Sequence, residues 1–395
     1  MRPKASDICL SLRSFWPGVK PGEPGSAEYA WRLLDEVRPT RIEWSYLRDR
    51  EAIARCHQVA PVFVAALNTI MPAGHAETFD SLPVIAPWMT SFGTPDARKT
   101  YICQNNPDDL RSRIEQATEL IRDGITDTFQ FDDWYGNAQM FDFGQPCFCP
   151  HCQREFQDYL GLPLDYRRYL RGRGFTCQAE LLATAKEGRV PLWDDYRRFQ
   201  QQTVTRYFHR LRGALDQALA RPATLSVNGS VLGFGGDIQT VLPLVQYFHG
   251  ETGDFGPATL VKLAEASRRL ERPQVISFFP HVPEDQYDAP AFVARVSQGI
   301  ALCYCLGLLP LFPYDVYAGN DASGRLKRRW YGTWQQYRAP YEVVRAHPEW
   351  FDGYAYETVE IAAAAVTVIC RHRQEPARRL RHQARADGSW ETAVS

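Results

Sequence analysis

Residues 105–133 read "NNPDDLRSRIEQATELIRDGITDTFQFDD", and they hold one complete helix-to-strand unit. Asn106 can cap a helix, Pro107 suits its first turn, and Gly124 can end it. The apolar residues between them recur at helical spacing, as in an ordinary amphipathic helix. Beyond Gly124 the period drops to two in "TDTFQFDD" (126–133), a strand that ends in two carboxylates. The same unit repeats along the chain. Strand-like runs stand at "DICLSLR" (7–13), "RIEWSYL" (41–47), "PVFVAALN" (61–68), "ATLSVNG" (223–229), "VQYFHGE" (245–251), "PQVISFF" (273–279) and "LGLLPLFPYD" (306–315). Helical patterns fill the intervals, including Ala27 to Val37, "DREAIARCH" (49–57) and a long run from Trp193 to Leu219. Eight strands, each followed by a helix, imply parallel pairing with right-handed crossovers, and eight such units close into a (β/α)₈ TIM barrel. An open doubly wound sheet is disfavoured, because "SLRSFWPG" (11–18) replaces the glycine-rich phosphate loop expected after the first strand.

The barrel is expected to occupy residues 1–350. In residues 351–395, "ETVEIAAAAVTVICRH" can start a strand, but the Arg-rich tail after it promises no core. That segment reads as a frayed or truncated extension, the stub of a further domain. A net charge of -1 offers no field for nucleic acid or an anionic membrane surface. No run is apolar enough to span a bilayer, and "MRPKASDICLSLRSFWPG" (1–18) lacks the apolar core of a signal peptide. A cytoplasmic protein is expected, in which ten cysteines stay reduced. Aromatic residues make up 13% of the chain, which suits a well-packed core and a sugar-binding surface equally.

Cys147, Cys149 and Cys152 form C-x-C-x₂-C just past the fourth strand. Three thiols that close, in a reducing compartment, point to a soft metal. Cys103, in "TYICQNNP" (100–107), is the best fourth ligand, since it lies before the helix that leads into that strand. His151 is the alternative, at the cost of strain within the cluster. Four thiolates fill a tetrahedral zinc, so the ion would be structural. A zinc-dependent hydrolase would need one cysteine not to ligate.

A lone Cys before "NNP", then C-x-C-x₂-C followed by "QREFQDYLG" (153–161), resembles the zinc site of glycoside hydrolase family 42 β-galactosidases. The resemblance is sharpest over residues 87–160. It implies a (β/α)₈ enzyme with a four-cysteine zinc beside the active site. The chain departs from that family at both catalytic positions. The family's Asn-Glu after strand four aligns with Asp133 and Trp134, and its strand-seven Glu has no counterpart in "VISFFPHV" (275–282). The family mechanism does not carry over, and the chain looks like a diverged relative.

Catalytic groups of such barrels sit at the C-terminal strand ends. Those ends offer Arg13, Trp16, Trp44, Tyr46, Asn68, Asp132, Asp133, Trp134, Asn228, His249, Glu251, His281, Asp315 and Tyr317. Glycoside cleavage needs two carboxyl groups, ~5 Å apart for retention and ~6.5–9.5 Å for inversion. Asp132 shares a strand face with Gln130 and is the first choice, Asp133 the second, since period-two counting leaves the phase open by one residue. Glu251, between glycines in "FHGETGDF" (248–255), is the natural partner, and Asp315 can replace either or hold hydroxyls. A carboxylate pair on strands four and six is similar in layout to the α-galactosidase clan. Arg13, Trp16, Trp44, Asn68, Trp134, Asn228, His281 and Tyr317 are the expected substrate contacts, with the tryptophans as stacking faces. The expectation is a glycosidase acting on a carbohydrate, either alone or as a homo-oligomer. The alternative is a catalytically inactive carbohydrate-binding barrel.

Overall fold

The computed structural model describes residues 1–12, 20–71, 74–85, 100–232, 238–278, 286–314, 319–320, 326–327 and 332–394. Eight parallel strands follow one another in chain order: β1 (Cys9–Ser11), β2 (Arg41–Ser45), β3 (Val62–Asn68), β4 (Thr128–Asp132), β5 (Thr224–Asn228), β6 (Tyr247–Thr252), β7 (Gln274–Phe278) and β8 (Leu309–Pro310). A parallel bridge between Cys9 and Leu311 joins the last strand to the first. The Phe312 amide donates to the Cys9 carbonyl at 2.8 Å across that seam. The result is a (β/α)₈ barrel.

Helices α1 (Ala27–Val37), α2 (Arg50–Val59) and α3 (Pro107–Arg122) return the chain after β1, β2 and β3. Asn106 caps α3 by accepting from the Asp108 amide, and Gly124 at φ +69° closes its end. The β4–β5 connection is enlarged by α4 (Gly136–Asp142), α5 (Pro150–Leu160), α6 (Tyr166–Gly172) and α7 (Gln178–Lys186), before α8 (Trp193–Leu219) packs on the barrel. These short helices bury their own aromatic core, which includes Phe148, Phe156, Tyr166, Tyr196 and the four clustered cysteines. Helices α9 (Pro257–Leu270), α10 (Pro290–Cys305) and α11 (Trp334–Ala346) follow β6, β7 and β8.

One unit lacks, among the described residues, the helix that was expected. Among the described residues, β5 and β6 are joined by a single 3₁₀ turn, Ile238–Thr240. Residues 229–246 are few and carry four glycines and Pro243, which disfavours a full crossover helix.

The outward face of the barrel is apolar, and the inward face is not. Phe63, Leu67, Phe129, Phe131, Leu225, Val227 and Ile276 join the main core beneath the helices. Phe131, for example, meets Phe208 of α8 edge-on at 5.3 Å. The inward positions carry Arg41, Glu43, Gln130, Asp132, Ser226 and His249, all buried. Arg41 Nε donates to Glu43 Oε1 at 2.7 Å, and the Tyr247 hydroxyl donates to Glu43 Oε2 at 2.9 Å. Strands β2 and β6 are not neighbours, so this contact crosses the barrel interior.

Residues 354–394 correct the expected frayed end. They form a four-stranded antiparallel sheet, β9 (Tyr354–Ile361), β10 (Ala365–His372), β11 (Arg379–Arg385) and β12 (Trp390–Val394). Leu380, His382 and Ala384 face inward and alternate with the polar residues of β11. The tail does have a core side, because the arginines of β11, Arg379, Arg381 and Arg385, lie on the other face. It docks on α10, where Gln298 Nε2 donates to the Ala384 carbonyl at 3.1 Å and Cys370 Sγ to the Cys305 carbonyl at 3.4 Å.

Candidate active site and cysteine cluster

The strand phase left open by the sequence is set by packing. Phe129 and Phe131 point to the helices, so Gln130 and Asp132 point inward. Asp132 ends β4 at the barrel mouth, 8% exposed, with donors on both oxygens. Oδ1 accepts from Asn228 Nδ2 at 2.7 Å and from the Asp133 amide at 3.0 Å. Oδ2 accepts from Trp44 Nε1 at 3.2 Å and from the Tyr46 hydroxyl in a short contact. All four contacts are donors, which is how a carboxylate anion is held. Burial, with the Asp132 charge beside it, pushes the Tyr46 phenol well above its ordinary range, so it remains a donor. Asn68 Nδ2 reaches the same hydroxyl at 3.5 Å.

Two backbone outliers flank this carboxylate. Trp44 has φ +54°, which costs a bulky aromatic residue energy, and Asp133 has φ +48°, which aspartate tolerates better than most residues. At Trp44 the cause is a bulge, since Ile42–Ser45 spans three steps where Phe63–Ala65 of β3 spans two. The extra residue lets Glu43 and Trp44 both face the interior, and the indole is thereby aimed at Asp132. At Asp133 the chain turns out of the strand, and its carbonyl is gripped by the Thr69 hydroxyl.

Other expected site residues are placed as follows. Glu251 lies near the end of β6 in phase with Tyr247 and His249, half-buried. His249 is fully buried one layer below, its ring 4.8 Å from Trp44 and its Nδ1 4.0 Å from Glu43 Oε2. Trp44 and Trp134 are each 1% exposed, so neither presents an open stacking face. Trp134 packs edge-on against Phe208 and donates to the Asn228 carbonyl at 2.9 Å, which makes it a brace between β4 and β5. Arg13, Trp16, His281, Asp315 and Tyr317 lie outside the described residues. The Arg41–Glu43 pair was missed, although "RIE" (41–43) places two opposite charges on one strand face.

The four cysteines come together. The Sγ atoms of Cys103, Cys147, Cys149 and Cys152 all lie within 4.8 Å of one another, buried. Cys103 is 3.5 Å from Cys152 and 3.4 Å from Cys149. A tetrahedral zinc with bonds of about 2.3 Å sets its sulfurs about 3.8 Å apart, so the group can hold a metal of that size. Asn137 Nδ2 and Asn105 Nδ2 point at Cys152 Sγ from 3.4 Å and 3.3 Å, the amide donors that thiolate ligands attract. Burial pushes the Cys103 and Cys147 thiols well up. Cys152 is as buried but falls well below the ordinary thiol range, because Cys103, Cys147, Cys149 and Asn105 donate to it. His151 stands apart, its Nδ1 2.9 Å from Arg154 on the exposed side of α5.

A hydrogen-bond path links cluster and carboxylate. Asn137 pairs reciprocally with Gln104 through two bonds of 2.9 Å, and Gln104 Nε2 donates to the Trp134 carbonyl at 3.1 Å. Gly136 is required there: at φ +30°, a Cβ would sit 2.5 Å from the Gln104 amide.

No protein-family model matches the sequence. No curated protein resembles it at a significant level. The fold has clear counterparts among solved structures. An alpha-amylase from Anoxybacillus aligns at TM-score 0.55 and 8% identity over 98% of this chain and 88% of that one. A beta-galactosidase from the psychrophilic Marinomonas ef1 aligns at 0.51 and 10% identity over 86% of this chain and 59% of that one. A maltogenic alpha-amylase from Thermotoga neapolitana aligns at 0.50 and 9% identity over 97% and 86%. What the chain shares with these structures is the (β/α)₈ architecture, and at this identity the likeness is one of fold.

Proposed function

We propose that this protein is a glycosidase in which Asp132 is the ionised member of a carboxyl pair and Glu251 its acid/base partner. The observation that carries the reading is the cradle of four donors that fixes Asp132 at the barrel mouth, beside a strained Trp44. An anchored anion suits attack on, or charge stabilisation of, an oxocarbenium-like centre. Glu251 is less buried than Asp132, as a group that exchanges protons with a leaving oxygen and with water should be. In Asp132, Tyr46 and Trp44 supply the two donors on one oxygen, and Asn228 with the Asp133 amide fixes the other.

We read the cysteines as a structural zinc site, with Cys103, Cys147, Cys149 and Cys152 as the ligands. Four thiolates leave no open position, so the ion supplies cross-linking and no Lewis acid. The cross-link ties the segment before α3 to the start of α5, beside the turn that follows Asp132. Ten unbridged cysteines suit a reducing cytoplasm, and no helix among the described residues is long and apolar enough to cross a membrane. The cysteine spacing supports a distant relationship to glycoside hydrolase family 42.

The test is hydrolysis of a panel of aryl glycosides and oligosaccharides, run beside Glu251→Gln. Activity on one sugar that falls at least ~100-fold in the variant supports the reading. No turnover on any sugar, with binding retained, would convert the protein to a carbohydrate-binding barrel.

A further inference from the structure

A cavity of about 540 Å³ lies under the barrel, between the β7–β8 side and the C-terminal sheet, remote from Asp132 at the mouth. Arg2, Arg268, Arg272 and Arg373 all line it, against a single carboxylate, Glu271. Among the described residues none of the four arginines has a carboxylate within ion-pair distance. Arg2 donates to the Glu271 carbonyl, Arg373 to the Tyr354 carbonyl, and Arg272 to the Val245, Glu271 and Leu242 carbonyls. Arg268 Cζ sits over the Tyr356 ring, 4.8 Å from its centroid. A guanidinium prefers a carboxylate or phosphate fork to scattered carbonyls, so an excess of positive charge is left facing this space.

A second observation also points to a ligand. His382, 1% exposed, lines the cavity, and its Nε2 has no hydrogen-bond partner while Nδ1 meets Thr392 Oγ1 at 2.8 Å. The Tyr356 hydroxyl, on another lining residue, is buried without a partner as well. Buried polar atoms are normally satisfied, and two orphans around one arginine-rich cavity mark a place where something polar binds. The volume falls within the range of small-molecule sites.

We propose that this cavity binds a small organic phosphate, the phosphoryl group held by Arg268 and Arg373 and the ring it is carried on held by Tyr356 and His382. The proposal is independent of the reading of Asp132. It makes the junction of barrel and sheet a binding site, occupied without any change in the ligand's bonds.

Calorimetric titration of the full chain with glucose 6-phosphate, AMP, glucose and inorganic phosphate tests it. The expected result is saturable binding of at least one of the two organic phosphates, at least tenfold tighter than inorganic phosphate and absent for glucose. That binding should weaken at least tenfold in Arg268→Gln/Arg373→Gln and three- to tenfold in Tyr356→Phe, and should be unchanged in Asp132→Asn. Tyr356→Phe retains the ring and so keeps the test open if the double variant misfolds. Binding of neither organic phosphate, equal binding of inorganic phosphate, or titrations indifferent to both variants would overturn the proposal.

Discussion

The barrel mouth around Asp132 and the lobe of short helices that follows it in the chain are held in opposite ways. Around Asp132 the donors converge on one carboxylate, and the backbone runs at positive φ at Trp44 and Asp133. Around Cys103, Cys147, Cys149 and Cys152 every ligand atom turns inward, aromatic rings seal the outside, and amides face the sulfurs. On the proposed reading, the backbone strain at Trp44 marks a site that acts, and the closed cysteine cluster marks one that supports. The Asn137–Gln104–Trp134 path shows how the second steadies the first.

That contrast can be broken at several points. Cys103→Ser should lose the metal and more than about 4 kcal/mol of stability, as losses of structural metals do. Metal content by plasma emission and chemical denaturation would check it, and full stability without metal would remove the supporting role. Within the barrel, Glu43→Ala should cost about 3–5 kcal/mol, because it strips the buried Arg41 of its hydrogen-bonded carboxylate and leaves only Asp7 at 3.9 Å. Equilibrium unfolding measures this, and a loss below about 1 kcal/mol would mean that the interior pair does not matter to the fold.

The sheet behind the barrel offers a pH test. Burial pushes His382 down to about 4 from an ordinary 6.5, so between those values the unfolded chain binds a proton that the folded chain does not. Stability should therefore fall by about 3 kcal/mol as pH drops through that window. The slope should flatten in His382→Gln, as denaturation at several pH values would reveal. The smallest effect belongs to the cradle itself. Tyr46→Phe removes one of four donors, and turnover should drop about 10- to 100-fold, corresponding to about 1.5–3 kcal/mol for a hydrogen bond to a charge. KM should move little, and an unchanged kcat would argue that Tyr46 merely packs.

Much of this was legible in the sequence. Period-two runs and capped helices located all eight strands, and the C-x-C-x₂-C spacing with Cys103 gathered the cysteine cluster, because both are local or rest on a rigid fold. What escaped was whatever depends on a local break in periodicity. The bulge at Trp44 shifts its side chain from the wall to the interior, and no alternation rule predicts that. The burial of Trp134 depends on Phe208, far along the chain. In the C-terminal sheet, "RLRHQAR" (379–385) does alternate, but its exposed arginines outweighed three modest inward residues when judged by composition.

The account turns on Asp132, and the most direct measurement is the turnover of Asp132→Asn on the best glycoside found, with metal content and melting temperature recorded on the same sample. The prediction is a loss of at least about a thousandfold with both of the other readings unchanged. Turnover within tenfold of the parent protein would contradict it and move the chemistry elsewhere on the barrel rim.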